Sequence, residues 1–206
     1  MKELFKTQKS ITVNITLLED MLGTMPNNED LYHDYVASNA PDASTLSEEI
    51  AEFGVTQVEE KGKTVFPRLS DGTPYLYDYQ IKGFFKGTCG FLRNVKGSQS
   101  EKLKSYKKKI DGLVFVEPRR IPLVFDGECS DCQRPLRASG PSGERVALSS
   151  SEAVPAGTTF QFTIKLLDES MMKVVEEWLD YGEYSGIGQW RNSGKGRFSY
   201  DVVETN

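Results

Sequence analysis

At 206 residues, with 38% hydrophobic and 27% charged residues, the chain has the length and composition of a globular domain that buries its own core. It has no apolar run of about 18 residues to cross a bilayer, its first ten residues lack the apolar stretch of a secretory signal, and three cysteines do not make a disulfide framework. The net charge of −5 counts against a polyanionic partner, but its distribution is split. Ser10 to Glu60 holds eleven Asp and Glu and no Lys or Arg, whereas Lys82 to Lys109 holds nine Lys and Arg against Glu101 alone. Such a split points to two faces with different partners.

Ile11, Val13, Ile15 and Leu17 alternate with Thr12, Asn14 and Thr16, which predicts a half-buried strand. Residues 19–60 are acidic and weakly periodic, an expected insertion with a short helix near Ser47 to Phe53. Phe66 to Tyr79 is aromatic and loop-like. Tyr79 to Arg93 reads as a strand end, a glycine turn and a short helix. Residues 94–110 form a lysine-rich loop or exposed helix. Leu113 to Val116 and Ile121 to Phe125 predict short strands, and Asp126 to Pro141 is turn-rich. Phe160, Phe162, Ile164 and Leu166 alternate again. Met171, Val174, Val175 and Trp178 fall on one helical face, and Gly182 is placed to end that helix as a C′ residue. A glycine loop, Gly186 to Phe198, leads into a last strand, Phe198 to Val203. The order predicts one α+β domain, residues 1–206, with a ferredoxin-like core: an antiparallel sheet with helices on one face.

The glycine loop carries the strongest chemical signal. Its glycines let backbone amides approach a ligand, Arg191, Lys195 and Arg197 interleave with them, and Trp190 offers a stacking plane. Amides, cations and an aromatic ring suit a phosphodiester backbone with a stacked base. The spacing matches neither a Walker loop nor a dinucleotide fingerprint. Cys129-Ser130-Asp131-Cys132 supplies half a zinc site, since zinc takes four ligands and the other candidates, Cys89 and His33, are distant in sequence. A metal-free turn is expected there, and no cofactor.

Three segments in order resemble the RAMP superfamily of CRISPR effector proteins. Ile11 to Leu17 is similar to its first strand. Gln80-Ile81-Lys82-Gly83-Phe84-Phe85-Lys86-Gly87 resembles its proline-glycine-serine-serine-leucine-lysine-glycine helix start, with Lys82 for the proline, Phe84 and Phe85 for the serines, and the leucine missing. Val154-Pro155-Ala156-Gly157-Thr158-Thr159-Phe160, the helix to Asp180, and the Gly186-Ile187-Gly188 and Gly194-Lys195-Gly196-Arg197-Phe198 elements resemble its second half. The resemblance implies an RRM-like core and a non-catalytic subunit that holds single-stranded guide RNA. Lys82, Lys86 and Arg93 would face phosphates, and Arg191, Lys195 and Arg197 would converge on them. Other RAMP-like subunits or copies of this chain would be partners, with the acidic segment of one copy meeting the basic segment of the next. The implied setting is cytoplasmic, without membrane contact.

Two other readings stand beside it. Some RAMP relatives are metal-independent endoribonucleases, for which His33 would be the acid or base; others use a loop aspartate, here Asp20, Asp30 or Asp34. An interaction protein of viral origin, using the fold to interfere with a CRISPR complex, is the third.

Overall fold

The computed structural model describes residues 9–27, 63–140 and 143–205. His33, Asp30, Asp34, the short helix expected near Ser47 and most of the acidic insertion lie outside them. The elements in order are strands β1 (Lys9–Leu17), β2 (Met21–Leu22), β3 (Met25–Pro26), β4 (Thr64–Val65) and β5 (Tyr75–Tyr77), then helices α1 (Asp78–Leu92) and α2 (Tyr106–Leu113). There follow β6 (Val114–Glu117), β7 (Arg120–Pro122), β8 (Ser130–Gly140), β9 (Gly143–Val154), β10 (Thr159–Leu166), helix α3 (Met172–Asp180) and β11 (Phe198–Thr205). The described residues divide into two compact units, one drawn from residues 9–21, 67–127 and 155–205, the other from residues 22–27, 63–66, 128–140 and 143–154.

The first unit holds a four-stranded sheet in the order β11-β1-β10-β6, with every pairing antiparallel. Taken with α1 and α3, its chain order is β-α-β-β-α-β, and the sheet reads fourth, first, third, second strand. That is the ferredoxin-like arrangement. Burial follows the period-two pattern: Ile11, Val13, Ile15 and Leu17 on β1, and Phe160, Phe162, Ile164 and Leu166 on β10, are all at most 2% exposed. Helix α1 buries Ile81, Phe84, Phe85, Thr88 and Cys89, and α3 buries Val174, Val175, Trp178 and Leu179. The two helices meet through Phe85 and Trp178, whose ring centroids are 5.4 Å apart. Phe84 reaches Phe198 at the start of β11, at 5.2 Å. Fully burying each such side chain contributes about 1.5–3 kcal/mol.

Several local expectations change. Tyr79 to Leu92 holds neither a strand end nor a glycine turn but belongs to one continuous helix, glycines included, which Arg93 caps. Apolar burial at Ile81, Phe84, Phe85, Thr88 and Cys89 outweighs the helix penalty of about 1 kcal/mol per glycine. The helix starts where Gln80 Oε1 accepts from the Tyr77 amide at 2.7 Å, half of a capping box, with Asp78 favourably placed in the first turn. Gly182 does not end α3 through a left-handed backbone: its φ is not positive. Instead, the Phe198 ring occupies the space a Cβ would fill. Part of the aromatic stretch before α1 is strand β5, paired with β7.

The lysine-rich segment is not a plain loop. It makes a 3₁₀ turn, Ser100–Lys102, and then enters α2. Glu177 fastens that turn: its carboxylate accepts from the Gln99 amide and, at 3.1 and 2.7 Å, from the Ser100 amide and hydroxyl. Trp178 Nε1 donates to the same Ser100 oxygen at 2.9 Å.

In the second unit, β8 and β9 pair antiparallel from Ser130↔Ala153 to Gly140↔Gly143, so the stretch expected to be turn-rich is mostly strand. Cys132 lies opposite Ser151 in that ladder. Glu152, 8% exposed, accepts from the Phe66 amide at 2.8 Å. Among the described residues no helix is long and apolar enough to cross a membrane.

Candidate nucleic-acid interface

Helix α1 turns a core face inward and presents a nearly bare crest outward. Tyr79, Gly83, Lys86 and Gly90 recur at i, i+4, i+7 and i+11, opposite the buried stripe. Over the roughly 16 Å from Tyr79 to Gly90, Lys86 is the only long side chain on the crest besides Tyr79 at its start. A Cβ built at Gly83 would meet nothing within 4 Å. The peptide backbone itself is therefore exposed there.

Cations flank this crest on both sides. On one shoulder lie Lys82, Lys86 and Arg93. Lys86 Nζ pairs with Asp111 Oδ1 of α2 at 2.6 Å. Lys82 Nζ donates to the Asp111 carbonyl at 3.2 Å and sits 5.2 Å from the Phe115 ring centroid. Arg93 lies 5.2 Å from the Tyr106 ring centroid, and the Tyr106 hydroxyl would be 3.2 Å from a Cβ at Gly90. On the other shoulder, the C-terminal glycine loop delivers Arg191, whose Nη1 would be 3.3 Å from a Cβ at Gly87. The mid-chain lysine segment and the glycine loop thus meet at α1. Arg191 is exposed and makes no ion pair with a described residue.

Lys195 and Arg197 are differently placed. Lys195 Nζ donates to Asp20 Oδ2 at 2.9 Å, and Arg197 Nη2 to Glu19 Oε1 at 3.3 Å. These carboxylates follow β1 directly and neutralise the two cations. The hydrogen bond from Lys195, with a lesser one from the Ala156 amide, holds the Asp20 carboxyl below the ordinary carboxylate range. The hydrogen bond from Lys86 does the same for Asp111.

The loop's glycines serve its own closure. The Ile187 amide donates to the Gly196 carbonyl at 3.0 Å and the Gly196 amide to the Asp20 carbonyl at 2.8 Å, so these amides are spent on the protein. Gly196 has a φ of +72°, and a Cβ on it would overlap the Ile187 carbonyl. Trp190, 41% exposed, takes a left-handed φ of 55° at the loop's tip.

Of the residues singled out from sequence, Lys82, Lys86, Arg93 and Arg191 border one crest, while Lys195 and Arg197 close the loop against Glu19 and Asp20. Cys129 and Cys132 are partly buried thiols of the second unit, and neither is joined in a disulfide. Among the described residues no group of three or more His, Cys, Asp or Glu is placed to hold a metal. Sequence reasoning missed the crest residues Tyr79 and Gly90 and the counter-charges Asp111 and Glu19; it named Asp20 as a loop aspartate but not as the partner of Lys195. The helical spacing of Tyr79, Gly83, Lys86 and Gly90 was the available signal; the carboxylates had none.

A βαββαβ sheet with cations converging on one of its helices defines an α+β, ferredoxin-like protein. No family model and no curated protein matches the chain. Its fold is similar to a chain in the cryo-EM structure of the Type III-B Cmr-beta bound to cognate target RNA, with a TM-score of 0.50 and 13% sequence identity. The likeness covers 100% of this chain and 63% of that one, so the chain spans less than two thirds of the neighbour's length. At that identity the likeness establishes the fold.

Proposed function

We propose that this chain is an RNA-binding subunit of a CRISPR-type ribonucleoprotein, holding a single strand by its backbone along the crest of α1. One observation carries the reading: Arg191 arrives from the far end of the sequence to lie over Gly87, opposite a shoulder of Lys82, Lys86 and Arg93. A helix backbone bared at Gly83, with Arg191 on one side and Lys82, Lys86 and Arg93 on the other, suits a sugar-phosphate chain, because phosphate contacts need charge and close approach but no base reading. The likeness to a chain of an RNA-bound CRISPR complex supports the same reading. Guide RNA is the preferred strand, and further RAMP-like subunits or copies of this chain are the preferred neighbours along it.

The test is affinity for a fluorescein-labelled oligouridine RNA measured against salt. The wild type should show a log–log salt dependence, with Arg191→Ala flattening it by about 0.7. A wild type that does not bind RNA at low salt, or an Arg191→Ala variant with an unchanged slope, refutes the assignment of this crest.

A further inference from the structure

At the N-terminal end of the crest, three tyrosines form a graded stack. Tyr75 is buried, at 4% exposure, and Tyr79 is 48% exposed. Tyr77 stands edge-on to Tyr75, with centroids 5.0 Å apart at 80°, and their hydroxyls are 2.9 Å apart. Tyr79 then stacks nearly parallel on Tyr77, at 5.1 Å and 17°. The pairing of β5 with β7 places Tyr77 beside Arg120. Arg120 sits 5.6 Å from the Tyr75 centroid and Arg119 5.9 Å from the Tyr77 centroid. Arg119 also approaches Asp78 at 3.6 Å, yet its side chain stays 73% exposed.

We infer that Tyr79 is a stacking platform for one unpaired nucleobase of the bound strand, held flat by Tyr77 and flanked by Arg119. The inference rests on the RNA-binding reading above and names a contact that reading does not require. A ring stacked on one face by Tyr77 and still 48% exposed loses little conformational freedom when a base covers it. Base–aromatic stacking tolerates any base, since every base has a π-face. Position adds to this: Gly83 is the next crest residue after Tyr79, one turn on. A strand passing over the open backbone at Gly83 comes within one helical turn of the tyrosine. Arg119 supplies charge for the adjoining phosphate.

The experiment uses a single-stranded oligouridine RNA carrying 2-aminopurine at alternate positions, whose emission falls when the base stacks, alongside anisotropy of the same RNA with a fluorescein label. Wild type and Tyr79→Phe should quench 2-aminopurine on binding. Tyr79→Ala should lose most of the quenching and bind about tenfold more weakly, with its salt slope unchanged, because no phosphate contact is removed. The substitution is at an exposed position in the first turn of a helix and introduces the best helix former, so folding is preserved. If Tyr79→Ala binds and quenches like wild type, the platform is wrong while the RNA-binding reading survives. If wild type does not bind the RNA, both fall.

Discussion

Asp111→Asn should strengthen RNA binding, and the size of the effect follows from the geometry. Asp111 holds Lys86 at 2.6 Å and stands 4.0 Å from Lys82, so the carboxylate cancels one of the two positive charges on that shoulder. Its replacement by a neutral amide leaves both lysines available to phosphate. Each additional phosphate neutralised on a single strand adds about 0.7 to the magnitude of the log–log salt slope. The slope should therefore steepen by about 0.7, with the gain in affinity largest at low salt, where screening is weakest. The stability cost is small, about 0–1 kcal/mol, because the Asp111 side chain is 56% exposed. The carbonyl that accepts from Lys82 is backbone and survives the change. Fluorescence anisotropy with an oligouridine RNA at several salt concentrations reads the slope, and urea unfolding checks the fold. Weaker binding, or the same slope in a folded variant, would show that the lysine shoulder does not face the strand.

Glu177→Ala leaves the amide and hydroxyl of the fully buried Ser100 without their carboxylate acceptor; unfolding in urea should report a loss of about 2–3 kcal/mol, with amide exchange fastest around residues 98–103. Gly196→Ala forces a Cβ into the Ile187 carbonyl at a φ of +72°, and a loss of more than about 2 kcal/mol is expected by the same assay; a neutral result would mean that the loop closes some other way. The Asp20 carboxyl titrates below its ordinary value because Lys195 holds it, so its contribution to stability is complete above about pH 4 and is lost as the pH falls through the lower, folded-state value. Lys195→Met should shrink that acid-side loss, and identical acid-unfolding curves for the two proteins would contradict the assignment.

The sheet was legible in the sequence because its two central strands alternate cleanly. Each of Ile11, Val13, Ile15, Leu17, Phe160, Phe162, Ile164 and Leu166 is buried where period two puts it. The apolar face of α3 was legible for the same reason at helical spacing. Helix α1 was obscured by Gly83, Gly87 and Gly90, which read locally as turn signals; only the sheet beneath rewards the apolar face enough to keep those residues helical. The β8–β9 hairpin was hidden because Gln133, Arg134, Ser149 and Ser150 carry no alternating apolar pattern, and backbone pairing alone declares it. The cation positions were visible in the chain, but their partners were not. Nothing local links Asp111 to Lys86, or Asp20 to Lys195, since those pairs exist only once the sheet has brought distant segments together.

The missing side chain at Gly182 reaches further than the turn it occupies. Because the Phe198 ring fills that space, Gly182, two residues past α3, acts as the socket for the first residue of the last strand, and the same ring contacts Phe84 on α1. A single methyl at position 182 would evict the aromatic plug, unseat the start of that strand, and shift the loop just ahead of it that carries Arg191. The placement of Arg191 beside α1 thus depends on a buried, uncharged glycine earlier in the sequence.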